Sequence, residues 1–199
     1  MVTRSRLYVR WARCHRNHKE NSVEQRLSSS KIYSGRAISL RVDKVRKASG
    51  ATTTREVVEH SDCIAVVALD NENNVLLVKQ YRYAVGRTLL EVPAGGVEAG
   101  EDTIDSVRRE LQEEIGYFPR RVEKLGGFYS APGYGTEYLY TYVARDLRPS
   151  RLVAEDTDEI EVVKVPLSEI PELIYSEQIC DAKTVAVLLF YLARQKLLS

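Results

Sequence analysis

The chain has 199 residues, with 29 Lys+Arg against 28 Asp+Glu and a formal net charge of +1. So even a balance gives no bulk electrostatic reason to bind nucleic acid or an anionic membrane surface, and no apolar run is long enough to span a bilayer. With 44% hydrophobic residues the chain can bury a real core, and its length suits one domain of ordinary size with a small appendage.

The N-terminus differs in texture from the rest. Arg4, Arg6, Arg10, Arg13, Arg16 and Lys19 stand against one acid, Glu20, with no continuous apolar core of the kind a signal peptide needs. Residues 1–28 are expected to be a basic, disordered extension, with Met1–Asn21 dispensable; a transit peptide, or a native start near Val23 with residues 1–22 as an upstream extension, are the alternatives for its role. In residues 29–60 the pattern becomes regular. KIYSGRAISLRVDKVRK alternates through Ile38, Leu40, Val42 and Val45, broken at Ser34-Gly35. ASGAT then reads as a turn and TTTREVVEH as a β-branched strand. Together they predict a small antiparallel sheet, too small to fold alone, which must pack on residues 61–199.

That larger segment opens with DCIAVVALD, a buried strand, then a turn over Asn71–Asn74 and the return strand VLLVKQYRY. TLLEVPAGGV is a short strand feeding a glycine loop, and a helix follows. Asp102 or Thr103 can cap its start, with Asp105 or Ser106 as a capping-box partner. Gly116 fits its left-handed end, and Pro119 prevents continuation. Ile104, Val107, Leu111 and Ile115 form its apolar stripe. RVEKLGGFYS, EYLYTYVARDL and EIEVVKVPL read as strands, and SEIPELIYS as a short helix. DAKTVAVLLFYLARQKLL closes the chain as a helix so apolar, from Val185 through Val187, Leu188, Leu189, Phe190, Tyr191 and Leu192, that burial on most sides is expected. Mixed strands around helices predict an α/β fold of the α/β/α sandwich type. The widely separated Cys14, Cys63 and Cys180 show no metal or redox spacing and fit a reducing cytosol. Cys63 and Cys180 read as ordinary buried or half-buried residues.

The helix carries the chemistry. Glu110 and Glu114 lie one turn apart on one face with Glu113 beside them. Like charges at that spacing repel by roughly 0.2–0.5 kcal/mol when exposed, and more when buried, so a cation should compensate. Hard oxygen donors suit Mg²⁺ or Mn²⁺, and no Cys/His set stands near them in sequence to favour zinc.

From Gly95 to Tyr117 the text GGVEAGEDTIDSVRRELQEEIGY resembles the signature of the Nudix hydrolases, which cleave nucleoside diphosphates linked to another moiety. Gly95, Glu101, Arg109-Glu110, Glu113-Glu114 and Gly116 all fall at its fixed positions, and only the final aliphatic is replaced, by Tyr117. The resemblance implies a Nudix-type mixed sheet between helices. It also implies an Arg109–Glu101 pair tying loop to helix, and two or three Mg²⁺ ions (Mn²⁺ as substitute) on the Ala94 carbonyl, Glu110 and Glu114, with Glu113 a further candidate. Gly95 and Gly96 would let the backbone approach a phosphate or ion.

Pro132, in FYSAPGYGTE, stands sixteen residues beyond Gly116. With the phrases TTREVVEH and QYRYAVGRTLLEVPAG, it is similar to the ADP-ribose pyrophosphatase branch. That implies a homodimer whose small N-terminal antiparallel sheet completes the partner's site, acting in the cytoplasm on a nucleoside diphosphate sugar. The products would be AMP and ribose 5-phosphate. The general base would be Glu137, on a loop that Gly133 and Gly135 free to close; the branch more often has Asp-Glu where this chain has Thr136-Glu137. Arg55 and Arg82 would hold the diphosphate, and Tyr33, Arg36 and Tyr81 would clamp the adenine. Another nucleoside diphosphate sugar is the alternative substrate. A non-catalytic ADP-ribose sensor is the alternative from a different class.

Overall fold

The computed structural model describes residues 23–153 and 160–198. The expected disorder of Met1–Asn21 falls outside them. Strand structure begins at Glu24, ahead of the boundary drawn at residue 29. β1 (Glu24–Ser34), β2 (Ser39–Lys47) and β3 (Thr52–Glu59) form a three-stranded sheet. β1 extends so far back because β2 pairs with it as far as Glu24↔Lys47, while its polar text, EQRLSSSK, has no alternation to announce a strand. The β2–β3 turn needs a left-handed residue, and Gly50 supplies it at φ +84°. Most of β1 is solvent-exposed, Leu27, Ile32 and Tyr33 included.

The second sheet holds seven strands. They are β4 (Cys63–Leu69), β5 (Asn74–Arg82), β6 (Arg87–Glu91), β7 (Ala94–Gly96), β8 (Tyr117–Tyr129), β9 (Tyr138–Pro149) and β10 (Glu161–Pro166). The main path runs β10-β5-β4-β9-β8, with β4 and β9 parallel and the other neighbours antiparallel. This is the mixed sheet the sequence predicts. β4 and β5 pair only at Ala68↔Leu76 and Leu69↔Val75. Beyond that they part, β6 continuing along β5 and β7 along β4. Pro93 stands in the fork, its carbonyl accepting from Val66 N–H at 3.0 Å. The fork brings the Ala94–Gly96 backbone to the sheet surface.

β4 is buried along its whole length, as a strand covered on both faces must be. Ile64, Val66 and Ala68 join Val107, Leu111 and Ile115 in one cluster. Ala65, Val67 and Leu69 join Ile170, Val187, Leu188 and Tyr191 in the other. The first cluster packs under α1 (Thr103–Glu110), which continues as a π-helical turn, Leu111–Ile115. The second packs under α2 (Ile170–Tyr175) and α3 (Ala182–Leu198). The period-two alternation of one strand thus produces the α/β/α layering.

Asp102 caps α1, accepting from Ile104 N–H at 2.8 Å, and Gly116 ends the π turn at φ +76°. Three sequence expectations need correction. Ile104, in the first turn of α1, is 38% exposed, so the buried stripe begins at Val107. Leu189 and Phe190 are 46% and 44% exposed; α3 is buried on one face, and Phe190 covers Gly126 of β8 from the side. Cys180 is exposed, in the turn before α3, whereas Cys63 is buried. No described helix is long and apolar enough to cross a membrane.

Candidate active site

The glycine loop and α1 meet through one arginine. Arg109 donates from Nε to Glu101 Oε1 at 3.0 Å and from its Nη2 to Glu101 Oε2 at 3.1 Å. Nη2 also reaches the Gly96 carbonyl at 2.9 Å. Nη1 donates to Glu110 Oε1 at 2.6 Å and Glu113 Oε2 at 3.3 Å. A planar fork with several donors in fixed directions can hold three carboxylates and a carbonyl together, which a lysine could not do. Glu101 also accepts from Ser106 Oγ at 2.7 Å and Glu98 N–H at 3.0 Å. Arg109 foremost, then Ser106 and the Glu98 amide, hold its carboxyl down to about 2.

That shift has a measurable consequence. An acid whose folded pKa is depressed stabilises the fold above its unfolded value of 4.5, and the gain is lost as pH falls toward about 2. Glu101→Gln is expected to cost on the order of 2 kcal/mol at neutral pH, with the deficit closing in acid. Urea unfolding at pH 7 and pH 3 checks this, and a pH-independent deficit would contradict it.

Glu110 and Glu114 are both only 8% exposed. Burial, with Glu113 and Glu101 nearby, pushes the Glu110 carboxyl upward against the pull of Arg109. Burial and the neighbouring Glu110 push Glu114 up to about 8, although Ala94 N–H, Arg82 and Lys183 oppose the rise. Two buried like charges with too little compensation are what a divalent cation would relieve. The backbone makes room for them. Ala94 N–H donates to Glu114 Oε2 at 3.1 Å, and a Cβ on Gly95 would stand 2.0 Å from the Glu110 carboxyl carbon. Gly95→Ala is therefore expected to expel the Glu110 carboxylate and lower turnover about a hundredfold, as a ligand-shell disturbance does, while thermal unfolding shifts little. Turnover within twofold of the parent would contradict the cradle.

Glu137 stands immediately before β9, at the end of the loop from Ser130. Its Oε1 lies 3.6 Å from His60 Nδ1. Cys63, on β4, has its sulfur within 4.8 Å of a Glu137 carboxylate oxygen. Burial first, then hydrogen bonding to Glu137 and the charges of Glu137, Asp62 and Glu110, push its thiol up to about 12. Glu137 and Glu110 thus bear on one buried sulfur from separate elements. The loop is tied down at one end. Thr136 Oγ1 bonds both the His60 N–H at 3.0 Å and the His60 carbonyl at 3.1 Å. Val58 exchanges backbone bonds with Tyr134 at 2.8 Å and Thr136 at 3.0 Å.

The remaining candidates separate from this group. Arg82 grips Glu91 in a bidentate pair at 2.8 and 2.7 Å; Glu91 is 1% exposed and is also bound by Lys183, which bonds Asp181 in turn. The charges of Arg82 and Lys183 reach Glu114 across this network. Arg55 lies on β3 and bonds Glu24 at 3.1 and 2.5 Å. Tyr33 folds over Gly35, and Arg36 follows in the β1–β2 connection. Tyr81, on β5, is 52% exposed. Within one chain, Tyr33, Arg36 and Arg55 belong to the small sheet, not to the carboxylate set. Glu91, Lys183, His60 and Cys63 are functional candidates that sequence reasoning does not single out. An acid inside TLLEVP is the available signal for the first.

Residues 59–188 match the NUDIX domain family profile. The methanol dehydrogenase activator of Bacillus methanolicus is 38% identical over 164 residues, which is 81% of this chain and 89% of that protein. The ADP-ribose pyrophosphatase of Bacillus subtilis (strain 168) is 36% identical, over 81% of this chain and 88% of that protein. The GDP-mannose pyrophosphatase of Cronobacter sakazakii is 33% identical, over 67% of this chain and 75% of that protein. A crystal structure of an ADP compounds hydrolase superposes with a TM-score of 0.80 at 20% identity, covering 87% of this chain and 94% of that one, which shows the same fold.

Proposed function

Since the chain belongs to the NUDIX domain family, we propose that it is a hydrolase that cleaves the diphosphate bridge of ADP-ribose, releasing AMP and ribose 5-phosphate. The observation that carries this reading is the buried Glu110–Glu114 pair, held against the Ala94–Gly96 backbone with its charge under-compensated. The carboxylates of Glu110 and Glu114 and the Ala94 carbonyl would hold Mg²⁺ (Mn²⁺ as substitute), two or three ions in all with Glu113 included. All are hard oxygen donors, as those ions require. Bound there, the cations supply positive charge against the anionic bridge and make a nearby water more acidic.

The chain's own residues do the rest. Arg109 fixes three of the acids and the Gly96 carbonyl in one array, so little reorganisation is left for the chemical step. Glu137 takes the proton from the attacking water at its carboxylate, the water oxygen adds to one phosphorus, and the bridging oxygen leaves with the other phosphate. Arg82, near Glu114, would steer the diphosphate. To do so its fork must share Glu91 with the substrate or exchange it for the substrate.

A homodimer is part of the proposal. The small sheet leaves Leu27, Ile32, Tyr33 and Ile38 exposed, and Tyr33, Arg36 and Arg55 reach a carboxylate set most simply in a second copy of the chain, through an isologous interface. ADP-ribose leads because the Bacillus subtilis relative, 36% identical over 81% of this chain, is an ADP-ribose pyrophosphatase. The GDP-mannose pyrophosphatases keep a second nucleotide sugar in view. The test is a panel with Mg²⁺ comprising ADP-ribose, GDP-mannose, dinucleoside polyphosphates and oxidised nucleotides. ADP-ribose is expected to lead in kcat/KM by about tenfold or more. A lead by GDP-mannose would reassign the substrate, and no turnover of any would leave a sensing module.

A further inference from the structure

Among the described residues, the three metal-ligating side chains whose donor atoms all lie within 4.8 Å of one another are His60, Cys63 and Glu137, not the acids of α1. We propose that these three form a second cation site, one for a soft divalent ion of the zinc class, which takes Glu137 out of use when filled.

The distances support it. Zinc holds a thiolate at about 2.3 Å and a nitrogen or carboxylate oxygen at about 2.0–2.2 Å, so tetrahedral donors stand about 3.4–3.6 Å apart. His60 Nδ1 is 3.8 Å from Cys63 Sγ and 3.6 Å from Glu137 Oε1. These two sides are within a few tenths of an ångström of the required separations, and the third, Cys63 to Glu137, is within 4.8 Å. The donor set is also chemically selective. One sulfur and one imidazole favour zinc over magnesium, which seeks six oxygens. The site therefore does not duplicate the α1 carboxylates.

The donors are carried on fixed backbone. Cys63 is in β4 and pairs with Leu139 of β9, two residues after Glu137. Thr136 Oγ1 bonds the His60 N–H and carbonyl, which locks the segments bearing the other two donors together. Such support is what separates a site from a chance proximity. Entry is available. His60 and Glu137 keep side-chain exposures of 29% and 26%, and a cleft of about 580 Å³ lined by His60, Asp62, Glu98, Glu101, Thr136 and Tyr140 opens beside them.

Filling the site requires two exchanges. The Cys63 S–H proton leaves to water as a metal–sulfur bond forms. His60 Nδ1, now 2.8 Å from the Ser61 carbonyl, gives up that contact. Glu137, ligated through one oxygen, then shares its negative charge with the cation and is a weaker base toward the attacking water. The inhibitory consequence, unlike the site itself, rests on Glu137 being the general base.

The test adds Co²⁺ to the Mg²⁺-saturated full chain and follows the sulfur-to-cobalt charge-transfer absorption, with Zn²⁺ as competitor. A band of one cobalt per chain is expected, bleached by Zn²⁺ and lost in Cys63→Ser and in His60→Ala. Using both variants guards against one failing to fold. A band that is absent from the parent, or that persists in both folded variants, overturns the proposal. In parallel, Zn²⁺ should suppress Mg²⁺-driven turnover, and Cys63→Ser should need at least about tenfold more Zn²⁺ for the same fractional loss. If the band behaves as expected while turnover is untouched, the site stands and Glu137 is not the base.

Discussion

Glu114→Gln is expected to lower Mg²⁺-driven turnover about a thousandfold, roughly 4 kcal/mol of transition-state stabilisation, while the protein remains folded. The magnitude follows from what the side chain is for. An amide keeps the shape and can still meet the Ala94 N–H, but it brings no charge to hold a cation, and charge on the diphosphate is what the reaction must offset. Stability should move the other way. The folded Glu114 carboxyl lies at about 8 against an ordinary 4.5, raised by burial and by Glu110. The folded chain therefore holds an extra proton between those values, and stability falls as pH rises from about 4.5 through about 8. Without metal, Glu114→Gln should melt at or above the parent's temperature, by a margin that grows from pH 5 to pH 9. Steady-state kinetics and thermal unfolding across that range check both halves. Near-normal turnover would remove Glu114 from the metal site, and a strongly destabilised variant would make it a structural acid.

Glu137→Gln is expected to lower kcat by about 10²–10⁴-fold, the usual worth of a positioned base, with KM little changed. Gln fills the same volume, and the Thr136–His60 clamp that sets the loop end does not involve the carboxylate. The loss should therefore fall on proton transfer and spare binding. Single-turnover and steady-state measurements separate the two. A raised KM with intact kcat would make Glu137 a substrate contact and send the search for a base elsewhere.

The local grammar of the site is legible in the amino-acid sequence. Asp102 and Gly116 bracket α1 and its π turn where capping chemistry places them, and Val107, Leu111 and Ile115 are buried as their spacing implies. Arg109 and Glu101, eight residues apart, pair as the family resemblance implies. Partnerships across long separations are not legible. Glu91 meets Lys183 from 92 residues away, and His60 meets Thr136 from 76 away; nothing in local spacing marks either. A one-dimensional apolar count also misjudges α3, because Leu189 and Phe190 turn outward beside Val187 and Leu188. Hydrophobicity tells that a helix packs, and the neighbouring layer decides over how wide an arc. The same limit applies to the arginines. Arg55 and Arg82 look alike as phosphate-binding candidates, yet one sits on the small sheet with Glu24 and the other on the main sheet with Glu91.

The most direct measurement is a crystal structure of the full chain with Mg²⁺ and a non-hydrolysable ADP-ribose analogue. Magnesium should lie between Glu110, Glu114 and the Ala94 carbonyl, with the diphosphate seated on it and Glu137 facing the bridge. Ions or ligand seated elsewhere, with the Glu110 and Glu114 carboxylates left bare, would contradict the account.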